Sequence, residues 1–177
     1  MGHLYFVRHG QTVWNVENKI CGATDIALTD LGHQQALDTG RKMVEQSIQA
    51  DQILYSPLIR ARDTALHISE ITGIEAMEEP RLTEQNFGRF ESTPRDGAEF
   101  LEAKCHFADS YDGGESMLRL AQRIYNLLDE LTASSKTYIL VAHNGISRMV
   151  HSYFHDMTNE AYGSFGIKNC EIVEYKW

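Results

Sequence analysis

The chain has 177 residues, 42% of them hydrophobic and 23% charged. That is a soluble globular composition, and it suggests one domain, 1–177, long enough to bury a core without staples. Sixteen Lys and Arg against twenty-five Asp and Glu give a net charge of −9, which argues against nucleic-acid and anionic-membrane partners but leaves room for a small anion in a local cluster of arginines.

The start, Met1-Gly2-His3-Leu4, lacks a basic region followed by an apolar stretch, so no secretory signal is expected. No apolar run approaches the roughly 20 residues of a membrane span. Leu4 to Val7 is a short continuous apolar run, as in a strand covered on both faces. Cys21, Cys105 and Cys170 are an odd, scattered set without a C-x-x-C pair. Neither a disulfide framework nor a zinc site is indicated, and a reducing compartment, the cytoplasm, is expected. From Thr29, a suitable N-cap, to about Ser47 the period becomes helical, with Leu31, Leu37, Met43, Val44 and Ile48 recurring. Gln52 to Tyr55 is a second strand. Ser56 and Pro57 read as N-cap and first position of a helix reaching Thr72, closed by Gly73. Residues 84 to 115 are irregular, broken by Gly88, Pro94, Gly97, Gly113 and Gly114 around a short helix from Gly97 to Ala108. A long amphipathic helix runs from Glu115 to Leu131. Tyr138 to Ala142 is a third buried strand, and a helix follows near Gly145 to Phe154. The tail, Glu171 to Tyr175, alternates like an edge or antiparallel strand. This alternation of strands and helices predicts an α/β sheet with helices on its faces.

Two segments share a pattern. Val7-Arg8-His9-Gly10 and Val141-Ala142-His143-Asn144-Gly145 each deliver a histidine to the carboxyl end of a buried strand, with a glycine for the turn. Ligands of open α/β sheets bind at that edge, where helix N-termini favour anions. The second strand ends there too, and the helix after it carries Arg60 and Arg62. Two histidines and at least two arginines at one edge make a phosphate site by composition. A metal is a rival use for His9 and His143, but carboxylates are scarce beside them and arginines repel a cation. His151 and His155 stand at i, i+4 without the glutamate of H-E-x-x-H. No metal and no cofactor are therefore expected.

Arg8-His9-Gly10-Gln11-Thr12 with Asn15 resembles the R-H-G-x-T-x-x-N signature of the histidine phosphatase superfamily, the phosphoglycerate-mutase-like proteins. The likeness continues through Gly22, Asp25, Leu28-Thr29, Gly32 and Gln35-Ala36. Ser56-Pro57-Leu58, Arg60-Ala61, Thr64-Ala65, Leu82, Glu84, Gly88 and Glu91 extend it. Gly113-Gly114-Glu115-Ser116 and Val141-Ala142-His143 complete it, in the family's order. The resemblance implies an α/β three-layer sandwich, a mixed, mostly parallel sheet flanked by helices with one antiparallel edge strand.

It also implies roles. His9 is the nucleophile that becomes phosphohistidine. Arg8, Arg60 and His143 bind phosphoryl oxygens, and Glu84 protonates the leaving alcohol, a choice among Glu78, Glu79, Glu84 and Glu91 that spacing alone leaves open. Asn15 adds a donor, and Cys21, Gly22 and Asn144 complete the expected substrate-binding set. These roles suit the chemistry, because an imidazole with a pKa near ~6.5 is largely neutral and nucleophilic at pH 7, and arginines can supply the charge stabilisation phosphoryl transfer needs. Two departures stand out. Asn144 occupies a position where glycine is common, which calls for a turn that tolerates a side chain, and Ser92 follows Glu91 where glycine is also common.

The expected activity is metal-independent hydrolysis of a small phosphorylated metabolite. The alternatives are a cofactor-dependent phosphoglycerate mutase and a catalytically silent phospho-ligand-binding protein. Family mutases are typically longer, with a segment and tail that exclude water, and water exclusion separates transfer from hydrolysis. Here the stretch from Glu84 to Gly113 is short and the chain ends soon after the tail strand. Substrate choice is expected from residues 87 to 115, where Arg89, Arg95 and Lys104 offer charge and Phe87, Phe90 and Phe107 offer apolar contact. The oligomeric state is not legible.

Overall fold

The computed structural model describes residues 2–177. Alternation along its central strands decides the layering. β1 (His3–Arg8), β2 (Gln52–Tyr55), β3 (Ala76–Glu78), β4 (Tyr138–Ala142) and β5 (Ile172–Lys176) form one sheet in the order β3-β2-β4-β1-β5. β4 lies parallel between β1 and β2, β3 runs parallel to β2, and β5 closes the other edge antiparallel to β1. Leu4 and Phe6 of β1 with Tyr138, Leu140 and Ala142 of β4 point to one face, where α5 (Met117–Ala133) and α6 (Asn144–Phe154) cover them. Val7, Ile53, Ile139 and Val141 point to the other, under Met43 of α2 (Asp30–Glu45) and Ala65 and Ile68 of α3 (Ile59–Thr72). The result is the three-layer α/β sandwich. α1 (Val13–Val16), α4 (Ala98–Ala103) and α7 (Asn159–Ser164) are short additions at its rim.

Several local readings change. α2 buries Gly32, Ala36, Thr39, Gly40 and Met43, while Leu31 and Val44 are exposed. Small residues face inward because α2 packs tightly on α3; a Cβ on Gly40 would lie 2.9 Å from Ile71. α3 begins at Ile59 with Leu58 as N-cap, so Ser56 does not cap it, although Gly73 closes it with φ 73° as expected. α5 starts at Met117 behind Ser116, whose side chain accepts from the Arg119 N–H. The short helix spans only Ala98–Ala103. β3 and α7 carry too few buried apolar residues to announce themselves in sequence.

Candidate active site

β1 and β4 are parallel neighbours in register, Arg8 opposite Ala142, so their carboxyl ends deliver His9 and His143 side by side. The ring centroids are 5.2 Å apart. The chain leaves β1 by a turn that only glycine permits: a Cβ on Gly10 would sit 2.4 Å from the Gly32 carbonyl oxygen. The Gly10 N–H donates to Thr64 Oγ1 on α3, which ties the turn to the neighbouring helix.

His9 Nδ1 lies 2.7 Å from its neighbour's carbonyl, Gly10 O. A carbonyl only accepts, so Nδ1 carries the hydrogen and Nε2 keeps its lone pair. Burial, with Arg60 and Arg8 nearby, holds the His9 pKa well below the usual 6.5. His143 is shifted the same way by burial, then by Arg60, His9 and Arg8. Both rings are therefore neutral at pH 7. Ser56, fully buried, puts Oγ 2.7 Å from His143 Nε2. Oγ also accepts from the Leu58 N–H; where the Ser56 hydroxyl gives its hydrogen to His143 Nε2, the imidazole hydrogen stands on Nδ1.

The arginines are held by main-chain carbonyls. Arg8 Nη1 donates to Ile167 O at 2.7 Å. Arg60 Nη1 and Nη2 donate to Thr24 O and Gly22 O at 2.8 and 2.6 Å. Among the described residues, four buried side-chain polar atoms lack a partner, and three of them are Arg8 Nε, Arg60 Nε and His143 Nδ1. Buried donors in folded proteins are almost always paired. The three belong to residues that neighbour His9, and the oxygens of a phosphoryl group could satisfy them.

Glu84 is buried, and burial pushes its pKa up from the ordinary carboxylate value. Its oxygens accept from the Gln85 and Gly145 N–H groups, both at 2.9 Å. A buried carboxyl whose pKa is raised keeps its proton to higher pH than an exposed one and is suited to give a proton away. Glu91 is not a competitor, because its two oxygens accept from the Gly22, Ala23 and Phe87 N–H groups and the Thr24 hydroxyl. It braces the loop whose carbonyls hold Arg60. Glu79 pairs with Arg81, and Glu78 is exposed on β3.

A small cleft of about 100 Å³ opens above these groups, and Arg8, His9, Asn15, Cys21, Glu84 and Asn144 all line it. Asn15 spends Oδ1 on the Thr12 N–H and the Asn169 amide, so its own amide donors remain for a ligand. Burial raises the Cys21 thiol to about 11, so it stays protonated. Arg60 and His143 are fully buried and do not themselves line the cleft. Gly22 lies behind Arg60 rather than in the cleft, its N–H taken by Glu91 and its carbonyl by Arg60. Asn144 needs no unusual backbone: it is the first residue of α6, and its Oδ1 accepts from the Ile167 N–H. Ser92 does adopt left-handed backbone, φ 67°, which explains the preference for glycine at its position.

The specificity segment divides differently from the expectation. Arg95, Lys104, Phe87 and Phe100 line the cleft, but Arg89 pairs with Glu99, Phe90 does not line it and packs against Phe100 and Tyr111, and Phe107 faces another groove. Arg148, also in the lining, was not anticipated; its position four residues after Asn144 on one helix face was the available signal. Asn169 carried no such signal, yet it donates to the His9 carbonyl and to Asn15. His151 stacks on Phe165 and meets Tyr175 Oη, away from these groups. Among the described residues no three His, Cys, Asp or Glu side chains are grouped to share a metal ion, and no helix is long and apolar enough to cross a membrane.

Known proteins resemble this chain in sequence and in fold. The family model described as the histidine phosphatase superfamily (branch 1) matches residues 4–177. A 2,3-bisphosphoglycerate-dependent phosphoglycerate mutase of Chelativorans sp. is 32% identical over 173 residues, spanning 90% of this chain and 84% of the relative. The vanadate-complexed structure of a mycobacterial glucosyl-3-phosphoglycerate phosphatase superposes with a TM-score of 0.85 at 27% identity, covering 98% of this chain and 90% of that one. A structure described as mycobacterial hydrolase 1 gives 0.84 at 28% identity, with the same coverage. The chain belongs to the histidine phosphatase superfamily, whose members named here include both mutases and phosphatases.

Proposed function

We propose that this member of the histidine phosphatase superfamily is a metal-independent phosphomonoesterase that hydrolyses a small phosphorylated metabolite through a phosphohistidine on His9. The observation that carries the reading is the Gly10 carbonyl on His9 Nδ1, because it leaves Nε2 as a neutral, buried nucleophile, with unpaired nitrogens on its neighbours Arg8, Arg60 and His143. His9 Nε2 attacks phosphorus as the phosphorus–oxygen ester bond breaks. Glu84 gives its proton to the departing alkoxide. Arg8, Arg60 and the Nδ1–H of His143 hold the phosphoryl oxygens, and their charge and dipoles serve where other enzymes use a cation. In the second half, Glu84, now a carboxylate, takes a proton from the attacking water, phosphorus leaves nitrogen, and neutral His9 and phosphate are restored.

Hydrolysis is favoured over phosphoryl return by the brevity of the cover: residues 84 to 113 supply one 3₁₀ turn at Gly88–Phe90 and the six-residue α4. The test is product analysis with 3-phosphoglycerate in the presence of chelator. Phosphate and glycerate support the reading. Transfer between hydroxyls without phosphate release makes the protein a mutase, and dependence on an added divalent ion removes the metal-independent mechanism.

A further inference from the structure

Where β5 stops, a side chain takes over from the sheet. The antiparallel pairing of β1 with β5 runs from His3, opposite Lys176, to Val7, opposite Ile172. One step farther the Cys170 N–H still donates to Arg8 O at 2.9 Å. Cys170, however, has left-handed backbone, φ 59°, which ends the extended run. The His9 N–H is held by β4, donating to Ala142 O at 2.9 Å, while β5 no longer reaches its carbonyl. Asn169 fills that gap, its Nδ2 donating to His9 O at 2.9 Å.

The same nitrogen donates to Asn15 Oδ1 at 3.3 Å. Asn15 Oδ1 also accepts from the Thr12 N–H at 3.0 Å. An amide flip would set the Asn15 NH₂ group against two donors, so Nδ2 is the end left for the cleft, which Asn15 lines. Little else holds that side chain. α1 is a single four-residue turn that buries none of its residues, so core packing does not fix its place relative to the nucleophile. Asn169 is not part of the cleft lining, and it meets the site through Asn15 and the main chain of His9. Its neighbour Ile167 contributes only main-chain groups, a carbonyl to Arg8 and an N–H to Asn144, which any residue would bring. The Asn169 contact depends on the side chain.

We propose that Asn169 is a positioning residue for phosphoryl binding: one amide nitrogen bridges the main chain of His9 and Asn15, and so holds the Asn15 amide where it donates to a phosphoryl oxygen. A donor fixed in advance binds better than one that must be ordered by its ligand. The inference rests on His9 as the site of phosphoryl transfer and deepens that reading.

Inorganic phosphate is the probe, its binding read by calorimetry without turnover, beside kcat and KM for p-nitrophenyl phosphate. Asn15→Ala should weaken phosphate about tenfold, as expected for one hydrogen bond to a charged group. Asn169→Ala should weaken it roughly fivefold, with KM rising in step, kcat within about threefold and the melting temperature within a few degrees. Adding Asn169→Ala to Asn15→Ala should then cost less than about twofold, because the residue through which it acts is gone. Should the alanine variant not fold, Asn169→Ser, which keeps one donor, takes its place in the same cycle. Losses that multiply in the double variant overturn the proposal. A fall in kcat with phosphate affinity intact overturns it too, since the role would then lie with His9 alone. Unchanged phosphate affinity in either single variant does the same. Failure of the hydrolytic reading looks different: phosphoryl return without phosphate release contradicts hydrolysis and leaves the binding comparison as it stands.

Discussion

Gly145→Ala perturbs the proposed proton donor without removing any reacting group. Gly145 has ordinary helical backbone at the start of α6, so alanine there is conformationally acceptable and gains up to ~1 kcal/mol of helix propensity. The difficulty is space. An added Cβ would lie 2.4 Å from Glu84 Oε1 and 3.0 Å from its carboxyl carbon, and ordinary contact begins about 1 Å farther out. The Glu84 carboxyl must move back by that amount, stretching its hydrogen bonds to the Gly145 and Gln85 N–H groups. Misplacement of a catalytic group by about 1 Å costs on the order of 10²-fold in rate, or ~2.7 kcal/mol of barrier. The loss should appear as lower kcat/KM for phosphate release from glycerol 3-phosphate. It should be less than about tenfold for phosphoenzyme formation from p-nitrophenyl phosphate, whose leaving group departs with little protonation. The melting temperature should stay within a few degrees of the original. Equal losses with the two esters would mean general damage to the anion site, and no loss at all would mean Glu84 is not the donor.

Ser56→Ala leaves His143 Nε2 buried without its partner; stability should fall by about 1–3 kcal/mol and kcat by roughly tenfold, while Ser56→Thr, which keeps a hydroxyl, recovers most of the rate. Denaturation and steady-state kinetics check both. Ser92→Gly relieves left-handed backbone at φ 67° and should raise the melting temperature by about 1–2 °C by scanning calorimetry; a decrease would contradict the strain argument. His9 and His143 are held below their unfolded pKa of 6.5, so at acid pH the unfolded chain binds protons that the folded chain does not. Their contribution is intact above about pH 6.5 and is lost as pH falls from there toward the folded values. Urea unfolding across that window should show the loss, and His9→Asn with His143→Asn should flatten it.

The sheet, its edge strand and the meeting of two strand-end histidines were legible because each depends on short-range pattern: buried apolar runs, then His, then Gly. Ser56 misled for an instructive reason. A serine before proline has the chemistry of an N-cap, but its hydroxyl faces His143, 87 positions along the chain, and nothing local encodes that partner. Of the apolar residues that mark the period of α2, Met43 is buried but Leu31 and Val44 are exposed, because close packing on α3 demands small residues such as Gly32, Ala36 and Gly40 on the inner face. Spacing could not choose among four glutamates. Burial separates them: it raises the Glu84 pKa, while Glu91 is engaged with three main-chain N–H groups and the Thr24 hydroxyl. Asn169 and the carbonyl ligands of the arginines come from loops whose positions are set only by the assembled sheet.

Trapping the phosphorylated protein tests the central proposal most directly. The unaltered chain is mixed with labelled p-nitrophenyl phosphate, quenched within the first turnover, and mapped by peptide mass spectrometry. A phosphoryl group on His9 that survives alkali and is lost in acid is the predicted result, absent from His9→Ala. An acid-stable, alkali-labile adduct, or a label on any other residue, would contradict it.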